Sequence, residues 1–184
     1  MNKDPSILIH DVASLTFLAP FSVLCIAETV FGYTIYPLFL THALTTYMSY
    51  DLLWIFIQPK IVHRYRNLII LHHLVCLLAL IRPLMYTDES YIVSRVGLVE
   101  IDTSLLTIRR LTPRNSSLYP AINKLYHTSN VLIRVGYESC MTLYLSYLYA
   151  YEDIYTKLYI LGCQYFINIF SCGICTLTYL KKND

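Results

Sequence analysis

The sequence predicts an all-α fold, a polytopic membrane bundle of about six transmembrane helices. Three observations predict it. Hydrophobic residues make up 56% of the 184 positions and charged residues only 14%, with a mean hydropathy of +0.49, whereas soluble domains run nearer a quarter charged. The apolar residues gather in long segments without the alternation of a half-buried strand. The basic residues lie between those segments, so the formal net charge of +2 does not point to nucleic acid as a partner.

One domain, about 12–180, accounts for the elements in order. A first span over about 12–31 follows Lys3, contains Pro20 and carries Glu28 near its far end. Its start resembles a signal sequence, but no small-residue cleavage site follows, so it is read as a retained helix. A second span, about 36–58, opens on Tyr36-Pro37, where proline suits a first helical turn. This span carries Asp51 and stops at Gln58-Pro59. After a basic connector (Lys60, Arg64, Arg66), a third span over about 67–83 contains the adjacent His72 and His73 and ends near Arg82-Pro83. Thr87-Asp88-Glu89-Ser90 reads as a short loop in which Thr87 or Ser90 caps the next helix.

The fourth span, about 91–108, is the least apolar and the richest in chemistry, with Arg95, Glu100, Asp102, Thr103 and Ser104. A loop with Pro113 and Pro120 leads to a fifth span over about 125–149. There Arg134 and Glu138, four apart on one face, are expected to pair. The sixth span covers about 155–179, before the tail Lys181-Lys182-Asn183-Asp184. The six cysteines all fall within spans, and Cys172-x-x-Cys175 reads as small packing residues, without a redox or metal role.

Charge sorting sets the orientation. With six spans, Lys3, Lys60, Arg64, Arg66, Arg109, Arg110, Arg114, Lys124, Lys181 and Lys182 fall on one side and only Arg82 and Lys157 on the other. The positive-inside rule then places both termini in the cytosol. In this orientation the sequon Asn115-Ser116-Ser117 faces the cytosol and stays unglycosylated. Lys181 and Lys182, fourth and third from the end, resemble the dilysine signal that coat proteins read on endoplasmic-reticulum proteins.

Polar side chains in hydrocarbon are costly and mark functional candidates. At 1.5 Å per residue, Asp51, His72, His73, Glu100, Asp102 and Arg134 lie at comparable depths, roughly 8 to 14 Å inside the cytosolic ends of four spans. This common level makes them one candidate site. Adjacent helical residues point about 100° apart, so one histidine faces the acids more squarely than the other. The same divergence argues against a shared metal ion, unlike a pair spaced i, i+4.

These residues, in order, resemble the TLC domain shared by ceramide synthases and the translocating-chain-associated membrane protein. The resemblance rests on Asp51, on His72-His73, and on Arg95-x-Gly97. It continues through Glu100-x-Asp102-Thr103-x-Leu105-Leu106-x-x-Arg109 to Arg134, and so covers nearly the whole chain. It implies a lipid-related role and N- or O-acyl transfer with acyl-CoA as co-substrate and no bound cofactor. It makes His72 and His73 catalytic; the chemistry of the neighbouring polar residues adds Asp51, Glu100 and Asp102 as catalytic candidates that orient the rings, with Arg134 and Thr103 substrate-binding. Where ceramide synthases carry H-D-x-x-D, this chain has Glu100-Ile101-Asp102-Thr103-Ser104. That places it nearer the other branch, linked to membrane composition and cargo export. Membrane lipids are the expected partners, and non-catalytic lipid binding or cargo handling is the alternative activity.

Overall fold

The computed structural model describes residues 4–32, 37–61 and 65–180. Lys3, Tyr36, Arg64 and the Lys181-Lys182 tail lie outside the described residues. Among the described residues there is no strand. The helices are α1 (Pro5–Phe31), α2 (Pro37–Ile57), α3 (Arg66–Met85), α4 (Tyr91–Val96), α5 (Glu100–Leu111), α6 (Tyr119–Ser129), α7 (Glu138–Leu148) and α8 (Ile154–Leu180). A 3-10 turn at Gly97–Val99 joins α4 to α5, and a π-helical segment at Asn130–Tyr137 joins α6 to α7. The joining residues keep right-handed helical backbone, so each pair forms one rod.

Local chemistry explains where these rods begin. α1 starts seven residues before the apolar run because Asp4 caps it, its Oδ1 accepting from the Ser6 N–H at 3.0 Å, with Pro5 in the first turn. Pro120 likewise starts α6 ahead of the apolar stretch, so the fifth rod begins at Tyr119 and not near Leu125. The expected caps Thr87 and Ser90 do not cap α4. Ser90 instead donates from Oγ to the Pro83 carbonyl at 3.0 Å, tying α4 back to α3.

The rods close into a ring. α1 packs on α2 and on the α4–α5 rod, α2 on α3, and α3 on α8. α8 in turn packs on the π segment and α7, and α6 closes against α5. The ring buries polar as well as apolar residues and exposes large apolar ones. Asp11, Asp102 and Asn130 are each 1% exposed, while Val23, Ile57, Leu143 and Ile169 are more than 60% exposed on the outside. An apolar rim around a polar interior is what a hydrocarbon solvent selects. Three helices, Pro5–Phe31, Arg66–Met85 and Ile154–Tyr179, are long and apolar enough to cross a membrane.

Two apolar clusters hold the ring. One joins Phe21 and Cys25 of α1 to Leu40, Leu44 and Met48 of α2, Leu80 of α3 and Val93 of α4. The other joins Met141, Leu145 and Tyr149 to Ile92 and Val96. Gly97 permits the first contact. A Cβ there would lie 2.9 Å from Cys25 Sγ and 3.0 Å from a Phe21 ring carbon, and both neighbours are almost wholly buried. Gly97→Ala should therefore cost about 1–3 kcal/mol through overpacking. Gly162→Ala, which meets nothing within 4 Å, should stay within about 0.5 kcal/mol. Melting curves in detergent compare the two, and equal effects would contradict this account of the α1–α4 contact.

Candidate functional site

Asp51, on the second-last turn of α2, is gripped from both sides. Its Oδ2 lies 2.8 Å from Nε2 of His73 on α3, and its Oδ1 lies 2.6 Å from Nε2 of His10 on α1. His73 is further fixed by Nδ1, 2.8 Å from the carbonyl of Ile69 one turn earlier. A carbonyl oxygen only accepts, so Nδ1 of His73 carries a proton. A second proton lies between Nε2 and Asp51 Oδ2, and a third between Asp51 Oδ1 and His10 Nε2. With these three protons the three side chains are neutral overall, as an ion pair plus one neutral ring or as an acid between two neutral rings. Trp54 presents an edge contact to the His10 ring at 5.5 Å.

The second histidine points elsewhere. His72 stacks on Phe170 of α8, centroids 4.0 Å apart and planes 13° from parallel. Its nitrogens lie 3.6 and 3.9 Å from Cys76 Sγ, one turn on. A thiol is a weak partner, so the ring of His72 is held by stacking while its nitrogens stay open to a stronger ligand.

Asp102 of α5 forms the other polar centre. Its Oδ1 accepts from Ser129 Oγ at 2.7 Å, and its Oδ2 accepts from Asn130 Nδ2 at 3.0 Å and from Arg134 Nε at 2.7 Å. Arg134 Nη2 also donates to Thr103 Oγ1 at 2.8 Å, and that hydroxyl is a partner of Glu100. The expected Arg134–Glu138 pair is not formed. Arg134 sits in the π segment, whose wider turn breaks the i, i+4 stripe of an α-helix, and Glu138 instead accepts from Gln164 Nε2 of α8 at 2.8 Å.

Between these centres lies a cavity of about 300 Å³ lined by α2, α3, the α4–α5 rod, the π-containing rod and α8. Asp51, His72, His73, Glu100, Asp102, Thr103 and Arg134 all line it, so the seven candidate catalytic and substrate-binding residues share one cavity. Its middle is aliphatic, with Met48, Ala79, Leu80, Val93, Leu145 and Ile167. Arg82 also lines it and donates from Nε and Nη2 to the two Glu89 oxygens, both at 2.7 Å. Tyr149 Oη donates to Glu89 at 2.6 Å, and its ring faces the Arg82 guanidinium. Partial burial would raise the Glu89 carboxyl, but the hydrogen bonds from Arg82 and Tyr149 outweigh it and hold it below its usual range.

His10 and Asp11 escape a hydropathy reading, because the apolar run begins after them. The signal that finds them is the Asp4-Pro5 helix start, which carries α1 through both residues. Among the described residues no group of three His, Cys, Asp or Glu side chains is placed to hold a metal ion, and the cysteines are free thiols.

Fold and site together define a class: an all-helical protein with three helices apolar enough to cross a membrane, built around an ion-paired interior and an amphipathic cavity. The chain matches no protein-family model, no curated protein and no solved structure.

The saturation of Asp102 predicts a structural cost for its loss. Asp102→Ala leaves the Arg134 guanidinium buried without a counter-ion and should destabilise the protein by about 3–5 kcal/mol. The paired change Asp102→Leu with Arg134→Met, which removes both charges, should cost less. Unfolding midpoints in detergent measure the difference, and a smaller loss in the single variant than in the double would contradict the pairing.

Proposed function

We propose that the chain crosses a membrane six times and holds one amphipathic lipid in the intramembrane cavity, as a protein of TLC type. The observation that carries the reading is the polarity of that cavity. An aliphatic middle suits an acyl chain, and the wall formed by Asp51, His72, Glu100 and Arg134 suits a polar head. Its volume of about 300 Å³ falls at the lower end of ligand sites in proteins. Both termini in the cytosol, coat-protein recognition of Lys181-Lys182 and residence in the endoplasmic reticulum belong to the same proposal. They follow from the charge asymmetry and the tail.

Acyl transfer is the reaction that this site supports, and the open nitrogens of His72 favour it over lipid binding alone. His73 spends both nitrogens on Ile69 and Asp51, so it is the oriented neighbour and His72 the base. His72 would take the proton of a lipid amine or hydroxyl as that group attacks an acyl-CoA thioester, then return it to the departing thiolate. Arg134 keeps Nη1 beyond its bonds to Asp102 and Thr103 for a carbonyl or phosphate oxygen of the substrate. Asp102 and Thr103 act by fixing Arg134.

Lipid mass spectrometry of membranes carrying the wild type, His72→Ala or His73→Ala tests this reading. The expected result is loss of a specific acylated lipid in His72→Ala with stability changed by no more than about 1 kcal/mol. His73→Ala should lower the folded fraction as well. Unchanged acylated lipids in a folded His72→Ala protein would reject catalysis and leave the non-catalytic alternative.

A further inference from the structure

A row of titratable side chains runs from the surface of the bundle to the cavity, and most of it lies outside the residues used above. At the outer end Arg110 of α5, with 37% of its side chain exposed, forms an ion pair with Asp11, Nη2 lying 3.0 Å from Oδ1. Asp11 Oδ1 lies 3.7 Å from His10 Nδ1. His10 Nε2 meets Asp51 at 2.6 Å, and Asp51 meets His73 at 2.8 Å on the cavity wall. His10 Nδ1, at the one long step, and Oδ2, the other oxygen of the Asp11 carboxyl, are buried with no hydrogen-bond partner. Unpaired buried polar atoms are costly, and here the two flank a single gap in an otherwise bonded row. One turn of the Asp11 carboxyl, or one bridging water, closes that gap.

We infer that Asp11, His10 and Asp51, the last held in place by His73, form a proton path between the aqueous face beside Arg110 and the intramembrane cavity. A proton arriving on the Asp11 carboxylate passes to His10 Nδ1, and His10 gives up its Nε2 proton to Asp51 Oδ1. Asp51, which itself lines the cavity, then releases the proton held at Oδ2 into it, while His73 keeps its Nδ1 proton on the Ile69 carbonyl. Each group loses one proton as it gains one, so one proton moves and no other bond changes. Run in reverse, the path removes a proton from the cavity. The other charged or titratable groups facing the row are Arg110 and Glu100 from the α4–α5 rod, Tyr47 from α2 and His72 from α3. Arg110 pairs with Asp11 at the outer end of the row. The path requires only the cavity and holds whether or not the protein transfers acyl groups.

The test follows protonation of Asp51 by infrared spectroscopy after a rapid pH jump on the purified full chain in nanodiscs, the band being identified by its loss in Asp51→Asn. The wild type is expected to re-equilibrate within the mixing time. His10→Gln keeps an amide donor toward Asp51 but cannot accept and release a proton in turn, and should slow the change roughly tenfold or more. Asp11→Asn should slow it similarly. In His10→Ala, added imidazole should restore the fast rate, a rescue that a purely structural histidine would not show. Rates unchanged in either folded variant, or a wild-type Asp51 that does not exchange on this timescale, would overturn the path. A His10→Gln protein that fails to fold leaves the wild-type and Asp11→Asn measurements to decide.

Discussion

One carboxylate organises this protein. Asp51 of α2 is hydrogen-bonded to a histidine of α1 and a histidine of α3 at once, so three helices converge on a single carboxyl. In hydrocarbon an unpaired carboxylate would be prohibitive, and each ring supplies a hydrogen-bond partner that the lipid cannot. Loss of Asp51 would leave two rings without an acceptor, and loss of either ring would leave an oxygen bare. The cavity exists because these polar contacts, and the apolar clusters above them, hold the rods apart around it.

The interior divides its polar groups between two tasks. Asp102 is fully spent on Ser129, Asn130 and Arg134, and Arg82 is spent on Glu89 and Tyr149. Groups so engaged set distances between helices. His72, held by the Phe170 ring and touched only weakly by Cys76, retains the capacity to bind something else. Saturation in one place and spare valence in another is how a helical interior can be both stable and able to bind.

Much of this arrangement was legible in the sequence. Hydropathy located the apolar segments, and a common depth brought Asp51, His72, His73, Glu100, Asp102 and Arg134 to one cavity wall. Three features were not legible. His10 and Asp11 were hidden because hydropathy starts a helix at its first apolar run, while the cap at Asp4 starts it earlier. The partner of Arg134 was hidden because i, i+4 spacing implies a face only in an α-helix, and a π segment lies there. Which histidine keeps open nitrogens was hidden because it depends on the Ile69 carbonyl and the Phe170 ring, and spacing encodes neither.

The central claim is that the cavity holds the tail of a single lipid. Native mass spectrometry of the protein released from nanodiscs measures it directly, comparing the wild type with Ala79→Phe. Ala79 lines the aliphatic middle of the cavity, and a phenyl ring there fills space that an acyl chain would need while leaving the polar wall untouched. The account predicts one retained lipid on the wild type and none on a folded Ala79→Phe protein. Equal lipid occupancy in the two, with the variant folded, would contradict it.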